Sequence, residues 1–436
     1  MEIPFTSHSL DNGLSVLVHE DHGCPIVAVN VWYHVGSKNE VRGRTGFAHL
    51  FEHLMFEGSE HYDRGYFHPL QEAGASLNGS TNADRTNYWE VVPTNALELA
   101  LWMESDRMGY LLPALTDEKF ENQRSVVLNE RRQNYENRPY GLAGMAIMAA
   151  LYPPDHPYHW LTIGAADDIR GATLDQVKAF FQTYYRPGNA SLAIAGDVNT
   201  DDVLRRVTEY FGDIEAGKAL KPARPKRPAP FTKEVRLLHE DRVELPRLYL
   251  AWHSPALFAE GDAELDLTAD LLANGKTSRL YRTLVYEQRI ATEIAASQNS
   301  REAGGFFQVV ATAAPGCTLA QLERAISSEI AAVAASGPTP AEMERALAQA
   351  EAHFIYRLQT VGGFGGKSDQ LNAYNVFLAD PGFFDRDLAR YRRVTMDSLQ
   401  RQTAEWLRKE RRVALSVVPR GRVALALPDS ATAAVG

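Results

Sequence analysis

The chain has 436 residues, 45% apolar and 23% charged, a balance that fits a soluble globular protein of two or three domains and excludes a disordered one. No apolar run reaches the roughly eighteen residues that a membrane-spanning helix needs, and the formal net charge of −10 argues against nucleic acid and anionic membranes as partners. Cys24 and Cys317 are too few for a disulfide framework or a cysteine zinc cluster.

In chain order, the opening MEIPFTSHSL lacks a basic region followed by an apolar one, so no export signal is expected there. Leu14, Val16 and Val18 alternate after the turn signal Asp11-Asn12-Gly13. Val27, Val29, Val31, Tyr33 and Val35 alternate after Pro25, which predicts two strands. A helix is expected from about Thr45, stopped at Gly58, and Leu77 to Pro93 reads as a pair of strands in a hairpin. Helical patterns follow over 96–111 and 116–132. Later come a strand over 191–195 and a helix opened by Thr200, with Asp201 and Asp202 in its first turn. Strands and helices mix without strict βαβ alternation, which predicts an α+β fold with a mostly antiparallel sheet.

Residues 217–233, rich in Pro, Lys and Arg, read as a linker. Beyond them the chain repeats its first half. VLVHED (16–21) recurs as RLLHED (236–241), and YYRPGNASLAIAGD is echoed by WLRKERRVALSVVPRG. The expected organisation is therefore two homologous α+β domains, 1–216 and 234–427, with a disordered tail over 428–436. The segment of the second copy that matches the Thr45 helix, Leu265 to Leu272, contains no histidine, so one metal site per chain is expected, in the first half.

That site is suggested by His-Leu-Phe-Glu-His, 49–53. Residues four apart lie on one face of a helix, so His49 and His53 can address one ion while Glu52 stands beside them. Two imidazoles and a carboxylate complete a catalytic zinc site, leaving Glu52 as general base. An H-x-x-E-H string arises by chance in roughly one chain in forty of this length, so the motif alone leaves two ordinary helix histidines open. The 116–132 helix offers Glu118, Glu121 and Glu130 as third ligand, and spacing does not choose among them.

The stretch VGSKNEVRGRTGFAHLFEHLMFEGS resembles the active-site segment of the pitrilysin/insulinase metallopeptidases, the inverted zincins. The likeness runs on through NGSTNADRTNYWEVVP, FENQRSVVLNERRQNYENRPYG, HPYHWLTIG and YYRPGNASLAIAGDV, and the length matches the processing-peptidase-like branch with two homologous domains per subunit. The resemblance implies a zinc metalloendopeptidase acting on short unfolded peptides. Glu130 stands 77 positions after His53, the family's spacing for its third ligand, so His49, His53 and Glu130 are implied as ligands of one Zn2+, with Glu52 activating water. Asn78, Gly79 and Ser80 map onto the family's edge strand, which pairs with an extended substrate. Bacterial relatives of this kind imply the periplasm; the absent leader leaves the cytoplasm as the alternative.

Two positions depart from the family pattern. Gln123 stands where many members carry an auxiliary glutamate. Val285 and Thr292 stand where active members carry an Arg and a Tyr that contact the substrate carbonyl; Tyr286 and Arg289 lie nearby but out of register. The chain is therefore expected to need a homologous partner subunit carrying that pair, in a heterodimer. The alternative is a non-catalytic peptide-binding or assembly subunit.

Other features read as structural. In Val361-Gly-Gly-Phe-Gly-Gly-Lys-Ser-Asp369 the first glycine of a phosphate loop is replaced by Val361, so a turn between helices is expected, with substrate handling as a further reading. His156 and His159 flank Pro157 and read as loop residues. His61 and His68 read as surface or packing histidines, and Asp167 and Asp168 as a helix entry.

Overall fold

The computed structural model describes residues 2–220 and 226–435. Part of the predicted linker, 221–225, lies outside the described residues; its described flanks carry no helix or strand. By contact the chain divides into two compact units. The first comprises 1–129, 161–223 and 353–386; the second comprises 130–160, 224–352 and 387–436.

In the first unit, β1 (Thr6–Ser9), β2 (Ser15–Glu20), β3 (Ile26–Tyr33), β4 (Ser76–Thr81), β5 (Thr86–Pro93) and β6 (Ala190–Gly196) form one sheet. Their order is β1-β2-β6-β3-β5-β4, and only the β2–β6 pair is parallel. The β-branched run of β3 suits a central strand, and every residue after Ile26 is buried. Alternation alone predicts one wet face; here both are covered. The helices Leu97–Ala114 and Phe47–Leu54 pack on the face of Tyr88 and Glu90, and the helix Lys367–Leu378 packs on that of Asn30 and Trp32. The polar residues on that second face are satisfied by the incoming helix. Asn372 donates to the Asn30 carbonyl at 2.8 Å, and Asn375 donates to the Ser15 and Ser191 hydroxyls.

The second unit repeats the plan. β7 (Val235–Asp241), β8 (Arg247–His253), β9 (Ala291–Asn299), β10 (Phe306–Ala313), β11 (Arg412–Pro419) and β12 (Ala431–Thr432) are ordered β12-β7-β11-β8-β10-β9. The parallel pair β7–β11 corresponds to β2–β6, and the edge strand β9 to β4. The helix Asp262–Ala273 packs on β9, and the helix Ala143–Leu151 lies against β8 and β11. Residues 428–435 correct the expectation of a disordered tail. Ala431 and Thr432 add a strand beside β7, the Ala433 amide donates to the Leu238 carbonyl at 2.8 Å, and Ala433 is buried. A two-residue strand with its apolar neighbour inserted offsets the ordering entropy of the end.

Candidate metal centre

The helix Phe47–Leu54 is only eight residues long, a length at which isolated helices do not hold, so its geometry depends on tertiary contacts. Phe47, Ala48, Leu50, Phe51 and Leu54 are buried. Phe51 meets Phe181 and Tyr185 with ring centroids 5.5 and 5.2 Å away, and the Tyr185 hydroxyl donates to the Ala48 carbonyl. His49, Glu52 and His53 remain half-buried on the other face.

The amino-terminal end of the helix is held just as closely. Gly46 precedes it at φ +88°, and a Cβ there would stand 2.3 Å from the Ile169 side chain, so only glycine fits. The buried Glu40 carboxylate accepts from the Gly46 and Ala48 amides, both at 2.9 Å, capping two of the otherwise orphaned donors and matching the positive end of the helix dipole. Asp168 accepts from the Thr45 amide and hydroxyl at 3.0 and 2.7 Å, and that hydroxyl accepts from the Ala165 amide. Asp168 is thus the brace of this helix start, while Asp167 pairs with Arg170 at the surface. Sequence reasoning did not find Glu40; a buried acid six residues before a glycine-opened helix is the only local signal for it.

The helix Asp117–Arg131 brings in the third acid. Its body is tied to the first unit through the Lys119–Asp63 ion pair, the Gln123–Glu57 hydrogen bond and the bond from Arg124 to the Ala172 carbonyl. The helix is continuous to Arg131, so Glu130 is carried by the same rigid element. His49, His53 and Glu130 each offer a ligand atom within 4.8 Å of the others, all half-buried, and the two imidazoles meet edge to face with centroids 4.8 Å apart. Donors about 2.1 Å from a tetrahedral ion stand about 3.4 Å from one another, so side-chain rotations of about an ångström would close this set. Two neutral nitrogens and one carboxylate suit zinc. Of the other candidate glutamates, Glu121 pairs with Arg124, and Glu118 is exposed in the first turn.

Gln123, in the place of the family's auxiliary acid, gives its amide to Glu57. Asn78, Gly79 and Ser80 lie in β4, the last strand of the sheet. Val285 lies half-buried in the π-helical turn Tyr281–Glu287, and Thr292 is exposed on β9; Tyr286 and Arg289 are exposed.

Behind the metal helix a second acid cluster is fully buried. Arg107 forms a two-pronged pair with Glu104 and lies over the Tyr66 and Tyr88 rings, at 3.9 and 4.3 Å. Burial pushes Glu90 well above the usual carboxylate range, and the Glu104 charge adds to the effect. Burial likewise raises Tyr88 and Tyr185, both of which also feel the charge of Glu52.

The other histidines singled out in the sequence are engaged locally. His61 bonds Asp106 at 2.5 Å, which raises its pKa, and His68 pairs with Glu72 at the surface. In the second unit His159 bonds the Tyr152 carbonyl and His156 stacks on Tyr152. The Gly362–Gly366 turn joins two helices as expected, and Lys367 is engaged with Asp21 instead of lying free for a phosphate.

Comparison with known proteins finds relatives of this chain in one peptidase family. Residues 15–156 match the model of the insulinase family, peptidase family M16, and residues 171–350 match the model described as the peptidase M16 inactive domain. None of His49, Glu52, His53 and Glu130 falls in the latter range. The zinc protease PqqE of Helicobacter pylori is 32% identical over 324 residues, covering 73% of this chain and 72% of that protein. A crystal structure of a protease from Helicobacter pylori superposes with TM-score 0.88 at 27% identity, over 95% of this chain and all of that one. The periplasmic protease PqqL of Escherichia coli shares the fold, with TM-score 0.78 at 18% identity over 98% of this chain and 50% of that one. Among the described residues no helix is long and apolar enough to cross a membrane. On these grounds the chain belongs to the pitrilysin/insulinase, or M16, family of peptidases.

Proposed function

We propose that this chain is the zinc-binding subunit of a metalloendopeptidase that hydrolyses short unfolded peptides. The convergence of His49, His53 and Glu130, with Glu52 on the same helix face, carries the reading. These three residues hold one Zn2+, which when bound supplies Lewis acidity to the site. Glu52 takes the proton of the attacking water and returns it to the leaving amine. Asn78, Gly79 and Ser80 receive the peptide as an added strand on the free edge of β4, a mode that reads backbone shape more than side chains. Gln123 holds Glu57 in place and takes no proton.

With Val285 and Thr292 at the positions of the substrate-contacting pair, the chain lacks its own cation for the developing oxyanion, a contribution of about 3 kcal/mol elsewhere. A homologous partner subunit carrying an Arg and a Tyr supplies it, and the active species is a heterodimer. The periplasm named for PqqL is the compartment we assign. The competing reading is a peptide-binding or assembly subunit without turnover, and the match of the second half to an inactive domain is the observation that favours it.

Glu52→Gln decides between the two. A peptidase retains one zinc per chain by metal analysis and loses about a thousandfold in kcat once the partner is present. Undiminished cleavage by that variant sinks the assignment of Glu52, and absence of cleavage and zinc in the wild type sinks the peptidase.

A further inference from the structure

The polar groups on the second face of the first sheet converge on one side chain that the proposed chemistry does not use. Asp369, 8% exposed, sits in the first turn of the helix Lys367–Leu378. Its Oδ1 accepts from the Trp32 indole N–H at 2.8 Å, from Asn87 Nδ2 at 3.2 Å and from Asn30 Nδ2 at 3.3 Å; its Oδ2 accepts from the Gly365 amide at 2.8 Å. Four donors from two strands and one loop compensate the desolvation of this carboxylate.

The bond from Asn87 fixes that amide's orientation and turns its Oδ1 to the Ser80 hydroxyl, which donates at 2.7 Å. Ser80 Oγ in turn accepts from Arg85 at 2.6 Å, and the same guanidinium nitrogen reaches the Ser80 carbonyl at 2.9 Å. Donation therefore runs one way, from Arg85 through Ser80 and Asn87 to Asp369, with a cation at one end and an anion at the other. Such a chain polarises along its length. Arg85 also lies over the Trp32 ring at 5.0 Å, so the two charges bracket one indole.

Ser80 is where this chain meets β4. The Asn82 amide bonds the Arg85 carbonyl, so with the observed register Ser80–Asn87 is a hydrogen-bonded pair. Gly79 and Thr81 then turn their backbone N–H and C=O groups to the open edge, one on each side of Ser80, and the Gly79 N–H there donates to Asn78 Oδ1 at 2.8 Å. Meanwhile Gly362 seats the glycine turn on the sheet: a Cβ there would come within 2.6 Å of both Ala28 and Val91.

We propose that Asp369 is a positioning residue for substrate, which orders the open edge of β4 through Asn87 and Ser80 before a peptide arrives. The proposal rests on the reading of β4 as the peptide-pairing strand. An edge ordered in advance lowers the entropy cost of strand addition and acts on binding, not on the chemical step.

The test uses the full chain with its partner. Asp369→Ala is expected to raise KM for an unstructured ten-residue peptide about tenfold, with kcat within about twofold and zinc content unchanged. Asp369→Asn keeps the oxygen that serves Trp32, Asn30 and Asn87 and loses only the acceptor of Gly365. Its KM is expected within about threefold of wild type. Ser80→Ala, at the far end of the relay and away from the glycine turn, is expected to raise KM as Asp369→Ala does. Hydrogen exchange without peptide provides a readout independent of cleavage. Residues 76–81 exchange faster in Asp369→Ala and at the wild-type rate in Asp369→Asn, whereas residues 361–366 exchange faster in both. If Asp369→Ala loosens only 361–366, or Ser80→Ala leaves KM unchanged, or kcat and zinc content fall together with KM, the residue is a loop brace and the proposal is overturned. If wild-type protein cleaves nothing, the peptidase reading fails, and the exchange pattern still decides the coupling.

Discussion

Glu40→Gln measures how far the metal helix depends on its cap. In the wild type each carboxylate oxygen takes one amide, Gly46 at 2.9 Å and Ala48 at 2.9 Å, in a site where Glu40 is 6% exposed. Glutamine keeps one acceptor and sets an NH2 group against the other amide. One buried N–H then loses its partner, at about 1–3 kcal/mol, and the remaining bond loses its charge and its share of the helix-dipole interaction, at about 0.5–1 kcal/mol. The sum is about 3 kcal/mol, a large part of the total stability of an ordinary domain. It falls on a two-turn helix whose first turn carries His49, so metal affinity should weaken with it, by about tenfold or more. Urea unfolding of the apo protein and zinc competition against a chelator read the two effects separately. A change below about 0.5 kcal/mol together with unaltered zinc affinity would refute the argument that this short helix is held from its amino-terminal end.

Glu90 should make the first unit less stable as pH rises, because its folded pKa lies above its unfolded one; its contribution is complete below about 4.5 and is lost as pH climbs through the folded value. Glu90→Gln removes that slope, so the variant gains on the wild type with increasing pH; parallel unfolding curves between pH 5 and 9 contradict this. Gly46→Ala combines a left-handed backbone, about 1–2 kcal/mol, with a Cβ 2.3 Å from Ile169 and 3.0 Å from the Ile163 carbonyl oxygen, and shortening Ile169 to Val in the same chain should recover only the side-chain part of the steric cost by thermal unfolding. Gln123→Glu sets a second carboxylate against Glu57, so its cost of about 1–3 kcal/mol should appear at pH 7 and vanish near pH 4, and Glu57→Gln in the same chain should abolish it; an equal cost at both pH values refutes the pairing.

What could be read from the sequence was what the sequence writes locally. The i, i+4 spacing of His49 and His53 survives because a helix converts it directly into proximity, and the β4–β5 hairpin follows from the turn residues between them. Helix spacing alone left Glu118, Glu121 and Glu130 open, and the family resemblance pointed to Glu130; the contacts of Lys119, Gln123 and Arg124 that fix that helix have partners more than forty residues away. The alternation of β3 was legible but its meaning was incomplete. The alternation says nothing of what covers the face of Asn30, because the helix that buries it arrives 337 or more positions later. The stretch ending at Asp369 reads as a turn with substrate handling as a further reading, and nothing near Asp369 announces its partners on β3 and β5. The tail was misread because a two-residue strand has too little pattern to register.

The duplicated sheet separates what the scaffold provides from what the side chains add. Both units open the helix that follows their second antiparallel strand pair member with a left-handed glycine, Gly46 at φ +88° and Gly261 at φ +90°. After Gly46 comes a face with two histidines and a glutamate. After Gly261 comes Asp262, buried, which accepts from the Phe258 amide at 3.1 Å, the Ser300 hydroxyl at 2.5 Å and Arg390 at 3.0 Å. That carboxylate is saturated by its own unit, and the helix face behind it holds Leu265, Thr268, Ala269 and Leu272 in the core. A glycine-opened helix and an edge strand therefore occur twice, and among the described residues the group of His and Glu side chains that could hold a metal lies on the first copy's helix and at Glu130. The fold supplies a helix beside an open strand; on the reading proposed above, three residues on that helix, with Glu130 from the helix Asp117–Arg131, are what would make one copy a centre for chemistry and leave the other a wall.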